Sequence, residues 1–292
     1  MTRTILSTLS LTVLTFFGNA QFGTYDKDLA GSVAEKPLVV VLENNNSSYN
    51  AALKSAVEKF WTNGTYSFTT LGDVGASGYL PTNNYLAHTV YTDPKTFEMN
   101  HLSVIAGWKM KKGDRVETEG SALAGIPAEQ VIAGILFDPE RINDGGGFMM
   151  DIYVKHLQDY AQQVKSGKIV DHTTASRLYE SRTRHIKDGD LLVMEAHKDK
   201  TFPETMEEVK EIFPSKYEIV DNTALQSAVE APDRSTYVTD VVLTGEYKTK
   251  HCFKRVFNTA TGELVFLHDE QSLYGKKEGF LLDDFKSIAR SR

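Results

Sequence analysis

Two polar loops hold most of the side chains that could do chemistry. Glu43-Asn44-Asn45-Asn46-Ser47-Ser48 follows the apolar run Leu38–Leu42, and Glu195-Ala196-His197-Lys198-Asp199-Lys200 follows Leu191–Met194. An α/β sheet places its ligands beyond the carboxyl ends of its strands, so carboxylate, amide and imidazole groups at these points make Glu43, Asn45, Glu195 and His197 the candidate binding residues. The loops differ in chemistry, one rich in Asn and the other carrying Lys and His, which argues against a catalytic role common to both. Ordinary solvated loops are the competing reading.

Other chemistry-bearing groups fit no known arrangement. None of the eight histidines lies in a His-Glu-x-x-His or His-Cys pattern, and His185 beside Asp188 and Asp190 reads as a surface turn. His156 lies on the margin of an apolar helix face, which points to packing. The stretch Asp138 to Gly147 is rich in oxygen donors and glycine. Ile142 and Asn143 nevertheless occupy the fifth and sixth positions, where a calcium loop needs an oxygen ligand and a glycine. Gly75-Ala76-Ser77-Gly78 is one residue short of a nucleophile elbow and reads as an exposed Gly-rich loop. No phosphate-binding glycine loop follows either apolar run. Cys252 is the only cysteine, so no intramolecular disulfide can form, and a small strand residue is expected there. The sequence thus assigns no catalytic residue, metal site or cofactor.

The elements that would position the two loops follow one grammar, used twice. Leu38–Leu42 predicts a strand buried on both faces. Tyr49, Leu53, Ala56, Val57 and Phe60 recur at spacings of three and four, the apolar face of a helix, before Gly64 stops it and Tyr66–Phe68 begins a second strand. Later, Leu191–Met194, then Phe202, Met206, Val209 and Phe213, then Tyr217–Ile219 repeat the pattern. Leu38 aligns with Leu191, Tyr49 with Phe202, Leu53 with Met206, Ala56 with Val209 and Phe60 with Phe213, without a gap. Further anchors pair Tyr66 with Tyr217, Val104–Gly107 with Val242–Gly245, and Gly147-Phe-Met-Met-Asp151 with Gly279-Phe-Leu-Leu-Asp283. Anchors in one order predict an internal duplication. The Gly-Phe box opens a helix in each copy, with Asp151 and Asp283 in the first turn, where a carboxylate suits the helix dipole.

The expected fold is therefore α/β (α+β), two tandem related domains, each β-α-β followed by a β-meander and a terminal helix. Copy 1 spans 37–167, with extra material at 70–100 and 112–135, and copy 2 spans 189–292. Residues 21–36 read as a loose leader, and 168–188 as a polar linker with helical or extended character near Ala175–Tyr179.

The meander of copy 2 is the clearest part: Asp240-Val-Val-Leu-Thr-Gly245, then Phe257-Asn-Thr-Ala-Thr-Gly-Glu263, then Leu264–Leu267. With Leu191–Met194, Tyr217–Asp221 and the short helix Thr223–Val229, it resembles the TolB N-terminal and CsgG-like α/β domains of bacterial envelope proteins. That resemblance implies a periplasmic, non-enzymatic part of an envelope assembly that binds other proteins. It brings no catalytic residue with it.

The first twenty residues read as a secretory signal: Arg3, the apolar stretch Ile5–Phe17, and the small-residue site Gly18-Asn19-Ala20 before Gln21. No cysteine follows the cleavage site, so no lipid anchor is expected, and nothing later is apolar enough for a spanning helix. A net charge of −7 gives no basic footprint for nucleic acid. The expectation is a periplasmic or secreted protein with an envelope protein as partner. The alternative is a periplasmic hydrolase or small-ligand binder with its site between the copies.

Overall fold

The computed structural model describes residues 23–92, 98–111, 116–203, 206–246, 250–272 and 277–291. The predicted signal at 1–20 lies outside them. In chain order the elements are α1 (Lys27–Glu35), β1 (Leu38–Leu42), α2 (Ser47–Phe60), β2 (Tyr66–Thr70), α3 (Leu71–Ser77), β3 (Asn84–Thr92), β4 (Glu98–Ala106), β5 (Glu117–Glu119), β6 (Ala122–Ala124), β7 (Val131–Leu136), α4 (Pro139–Arg141) and α5 (Met149–Lys165). There follow α6 (His172–Thr183), β8 (Asp190–Met194), α7 (Met206–Ile212), β9 (Tyr217–Val220), α8 (Asn222–Glu230), β10 (Thr236–Thr244), β11 (His251–Asn258), β12 (Leu264–Gln271) and α9 (Leu282–Arg290).

The strands form two sheets of one design. The first runs β2-β1-β3-β4-β7 and the second β9-β8-β10-β11-β12. Along each five-strand path the first three strands are parallel and the rest antiparallel, and the first sheet adds β6 parallel to β3 and β5 antiparallel to β6. Even the register repeats: Leu38 faces Tyr66 and Asn84, and Leu191 faces Tyr217 and Tyr237. The fold is thus α/β, two tandem related units of β-α-β, antiparallel meander and terminal helix, with a short helix (α3, α8) before each meander.

The register corrects one anchor. Asn84 is the counterpart of Tyr237, so β3 matches β10, whereas Val104–Gly107 ends β4, the counterpart of β11. The likeness of Val104–Gly107 to Val242–Gly245 has two unrelated causes. Gly107 is required by close backbone approach, since a Cβ there would sit 2.0 Å from Leu80 O. Gly245 instead takes φ 74°, a left-handed turn that glycine adopts without penalty. Residues 70–92 are therefore α3 and β3, shared by both units, rather than an insertion, and the added material in copy 1 is the β5–β6 hairpin. Gly75–Gly78, expected as an exposed loop, is the end of α3, with Gly78 as its C-cap at φ 75°.

The leader is also more ordered than its composition suggests. Asp26 caps α1 by accepting from the amides of Asp28 and Leu29, and Ala30 and Val33 are buried in the main core. The connection at 168–188 holds α6, opened by a capping box between Asp171 and Thr174. Its Ala175 and Tyr179 are buried, and Thr183 Oγ1 donates to Val265 O at 2.6 Å, placing α6 along the outer side of β12. Arg182 adds a two-pronged contact to Asp159 on α5, at 2.7 and 3.1 Å.

Helix α5 lies between the units. One side packs in the core of the first sheet with Leu102, Ile135 and α2, and the same core takes in Val238, Phe257 and Leu264 of the second. Tyr153 and His156 meet the ring of Phe257 edge-on, and Lys155 Nζ donates to Thr259 O at 2.8 Å. The far face of the second sheet is closed separately by Phe202, Val209, Phe213, Phe280, Phe285 and Ile288. Asp151 and Asp283 both fall in the first turn of their helices.

Candidate functional site

Glu43 sits immediately after β1 and its side chain turns inward, with 7 % of the residue exposed. His88 on β3 brings Nδ1 to 2.6 Å from Glu43 Oε1, and its Nε2 lies 2.8 Å from Asn100 Oδ1 on β4. Asn46 Nδ2 donates to Glu43 Oε2 at 2.8 Å, while Asn50 receives the Glu43 amide and donates back to its carbonyl, both at 2.9 Å. Tyr49 and Phe137 wall the imidazole. Burial, with the Glu43 charge adding to it, pushes the Tyr49 hydroxyl well above its ordinary range.

A carboxylate against an imidazole is the core of a general-base pair. Here both ring nitrogens are engaged, so the group pins the loop after β1 to β3 and β4 and has no free nitrogen to work with. Asn45, by contrast, is exposed and holds φ 58°, the left-handed conformation that asparagine tolerates in a tight turn. Replacing Glu43 with Ala would leave His88 Nδ1 buried without its partner. We expect a loss of about 1–3 kcal/mol in urea unfolding, with Glu43→Gln losing less.

The second loop is built differently. Glu195 points outward and pairs with Lys198 at 2.8 Å. His197 is buried, with Nδ1 2.9 Å from Thr239 Oγ1 and Nε2 without a hydrogen-bond partner. Burial, reinforced by the Arg141 charge, holds its imidazole well below the ordinary range and hence neutral. No hydrogen bond or ion pair joins Glu43 or Asn45 to Glu195 or His197 among the described residues, so the four candidates do not form one site.

Between the units lies a network that sequence reasoning missed. Asp240 on β10, fully buried, accepts from Arg141 Nη1 at 2.9 Å, from Tyr153 Oη at 3.1 Å and from Arg255 Nη2. Arg255, also fully buried, donates through Nη1 to Leu136 O on β7 at 2.7 Å. Burial by itself would raise the Asp240 pKa, but Arg255 and Arg141 outweigh it and hold the carboxyl below its ordinary value. Arg141, from the stretch rich in oxygen donors and glycine at 138–147, is thus a strut between sheets, and Asp138 caps α4. Among the described residues no group of acidic, His and Cys side chains is arranged to hold a metal ion. A single acid in β10 and the adjacent Lys254 and Arg255 in β11 carry no signal of core in their own sequence, and only their burial reveals Asp240 and Arg255 as core.

Cys252 is buried in β11, and burial pushes its thiol up to about 12, so it is protonated and inert at neutral pH. His156 is a packing residue between sheets. His185 is exposed in a 3-10 turn.

The geometry describes an α/β scaffold of two sheets of one design, joined by the Arg141–Asp240–Arg255 network. Comparison with protein families, curated proteins and solved structures finds no match.

Proposed function

We propose that this is an exported, non-enzymatic protein of the bacterial cell envelope that acts by binding another protein through an added β-strand. One observation carries the reading. In the first unit, β3 pairs with β1 over its first half and then with β6, in parallel, at Thr89–Leu123 and Val90–Ala124. Counting from the register partners Asn84 and Tyr237, the counterpart of Val90 is Leu243. There β8 has already ended its pairing at Val238, and no described strand replaces β6.

Ser235 O accepts from Asp190 N on the β8 side and Thr236 O from Thr259 N on the β11 side. Strand alternation then turns the backbone groups of Val241 and Leu243 to the open side. Leu243 is 39 % exposed. Such an edge is a template for strand addition. The outer strands β2 and β9 offer further edges, while α6 covers β12, and Thr24 and Arg255 bind the outward carbonyls of β7 at Ile132 and Leu136. The resemblance to envelope domains and the N-terminal signal pattern support the compartment. The alternative, a ligand cleft between the units, is disfavoured by the Arg141–Asp240–Arg255 network that occupies that interface.

The test uses Leu243→Pro. Its amide points away from β11, so proline removes an edge donor without breaking the ladder. In affinity capture from envelope extracts, wild-type protein retains a partner and Leu243→Pro loses it by tenfold or so, with unchanged circular dichroism. A partner held equally by both would reject this edge, and no partner under mild conditions would reject the binding role.

A further inference from the structure

A groove of about 710 Å³ runs between α6, β12 and α9, away from the inter-unit network and from the open edge of β10. Its lining combines Tyr179 and Phe266 with Arg177 on one wall, Arg290 on the other and His268 on the sheet between them. Arg141, Arg182 and Arg255 are taken up in ion pairs. Arg177 and Arg290 are exposed; each feels one carboxylate, Asp171 and Asp283 respectively, but neither makes an ion pair at contact distance among the described residues. The rim carries one acidic residue, Glu180.

His268 is the positioned member. Its Nδ1 lies 2.6 Å from Oδ1 of Asp284, which is 1 % exposed. The other carboxylate oxygen accepts from Lys254 Nζ at 2.9 Å and from the Leu281 amide at 2.8 Å. Asp284 is therefore fixed from three directions, and it fixes the imidazole in turn. With Nδ1 occupied, Nε2 is the ring atom left for a ligand, and the imidazole is part-exposed at the groove. A buried carboxylate that orients an imidazole beside two exposed guanidinium groups outside any contact ion pair makes a receptor for an acid group. With Nδ1–H on Asp284, the imidazolium form carries a second N–H at Nε2 that can donate to an anionic oxygen, and the guanidinium forks neutralise the charge.

We propose that this groove binds a small organic anion with a short apolar body. Its acid group lies between Arg177, Arg290 and Nε2 of His268, and its apolar part lies on Leu267 and the aliphatic stems of the two arginines. The proposal does not depend on strand addition at β10.

Isothermal titration of the purified protein with phenyl phosphate, benzoate, inorganic phosphate and neutral benzyl alcohol tests it. Saturable binding is expected for phenyl phosphate or benzoate, stronger than for inorganic phosphate and absent for benzyl alcohol. The first two probes separate a phosphate monoester from a carboxylate as the preferred head. Arg177→Gln and Arg290→Gln, both at exposed positions, should each weaken binding about tenfold, and His268→Ala should do the same while Arg184→Gln leaves it unchanged. No saturable binding by the wild-type protein, or equal binding by the Arg177→Gln, Arg290→Gln double variant, would overturn the assignment.

Discussion

Replacing Asp240 with Ala is expected to lower the unfolding free energy by about 3–5 kcal/mol, the typical cost of breaking a buried ion pair by removing one partner. The damage comes from what is left behind. Arg255 has no exposure, and without Asp240 its charge keeps the Leu136 carbonyl and the rings of Tyr153 and Phe257, 5.8 and 5.7 Å away, but no counter-charge at contact distance among the described residues. Arg141→Ala should cost less, because its side chain is 18 % exposed and Asp240 keeps both Arg255 and Tyr153. Urea unfolding followed by circular dichroism gives the comparison. Equal losses for the two variants would mean that Arg255 finds another partner, and the network would not then be what joins the sheets.

Acidification should destabilise the protein through two buried histidines, of which His156 is the one whose window can be stated. It is buried among α5, Phe257 and the turn at Gly262, and both ring nitrogens lack a side-chain partner. Burial lowers its pKa from 6.5 to about 4. The folded state therefore binds its proton less readily than the unfolded chain does. The stability from this site is fully present above pH 6.5 and is lost as pH falls from there toward about 4. The full span is worth roughly 3 kcal/mol. His197 is shifted in the same direction and adds to the effect. His156→Phe should flatten the acid limb of a plot of unfolding free energy against pH. An unchanged slope in that variant would place the proton uptake elsewhere.

What could be read from the sequence was what depends on local pattern. Leu38–Leu42 and Leu191–Met194 are apolar throughout because both faces of each strand are covered, and α2 shows its face at helical spacing. The turn at Asn258–Gly262 was equally plain: Asn258 Oδ1 accepts from the Ala260 and Thr261 amides, and Gly262 takes φ 68°. β3 was hidden because Asn84, His88 and Thr89 break its apolar run. Each is buried, and each is satisfied by a partner distant in the chain: Ser32, Glu43 and Ser103. The site suffered the same blindness. Glu43 was singled out as a ligand-facing loop residue, yet His88, which turns it inward, stands 45 positions away. Local pattern reports which faces are oily, and it says nothing about which polar groups will find one another.

The placement of α5 bears on how the two copies can change over time. Its counterpart α9 serves one sheet and is 9 residues long, whereas α5 is 17 residues long with Tyr153, Lys155 and His156 committed to the neighbouring unit. A substitution on α9 is judged by one half of the molecule, and a substitution on α5 by both. A change on α5 must therefore be accommodated by two sheets at once, and a change on α9 by one.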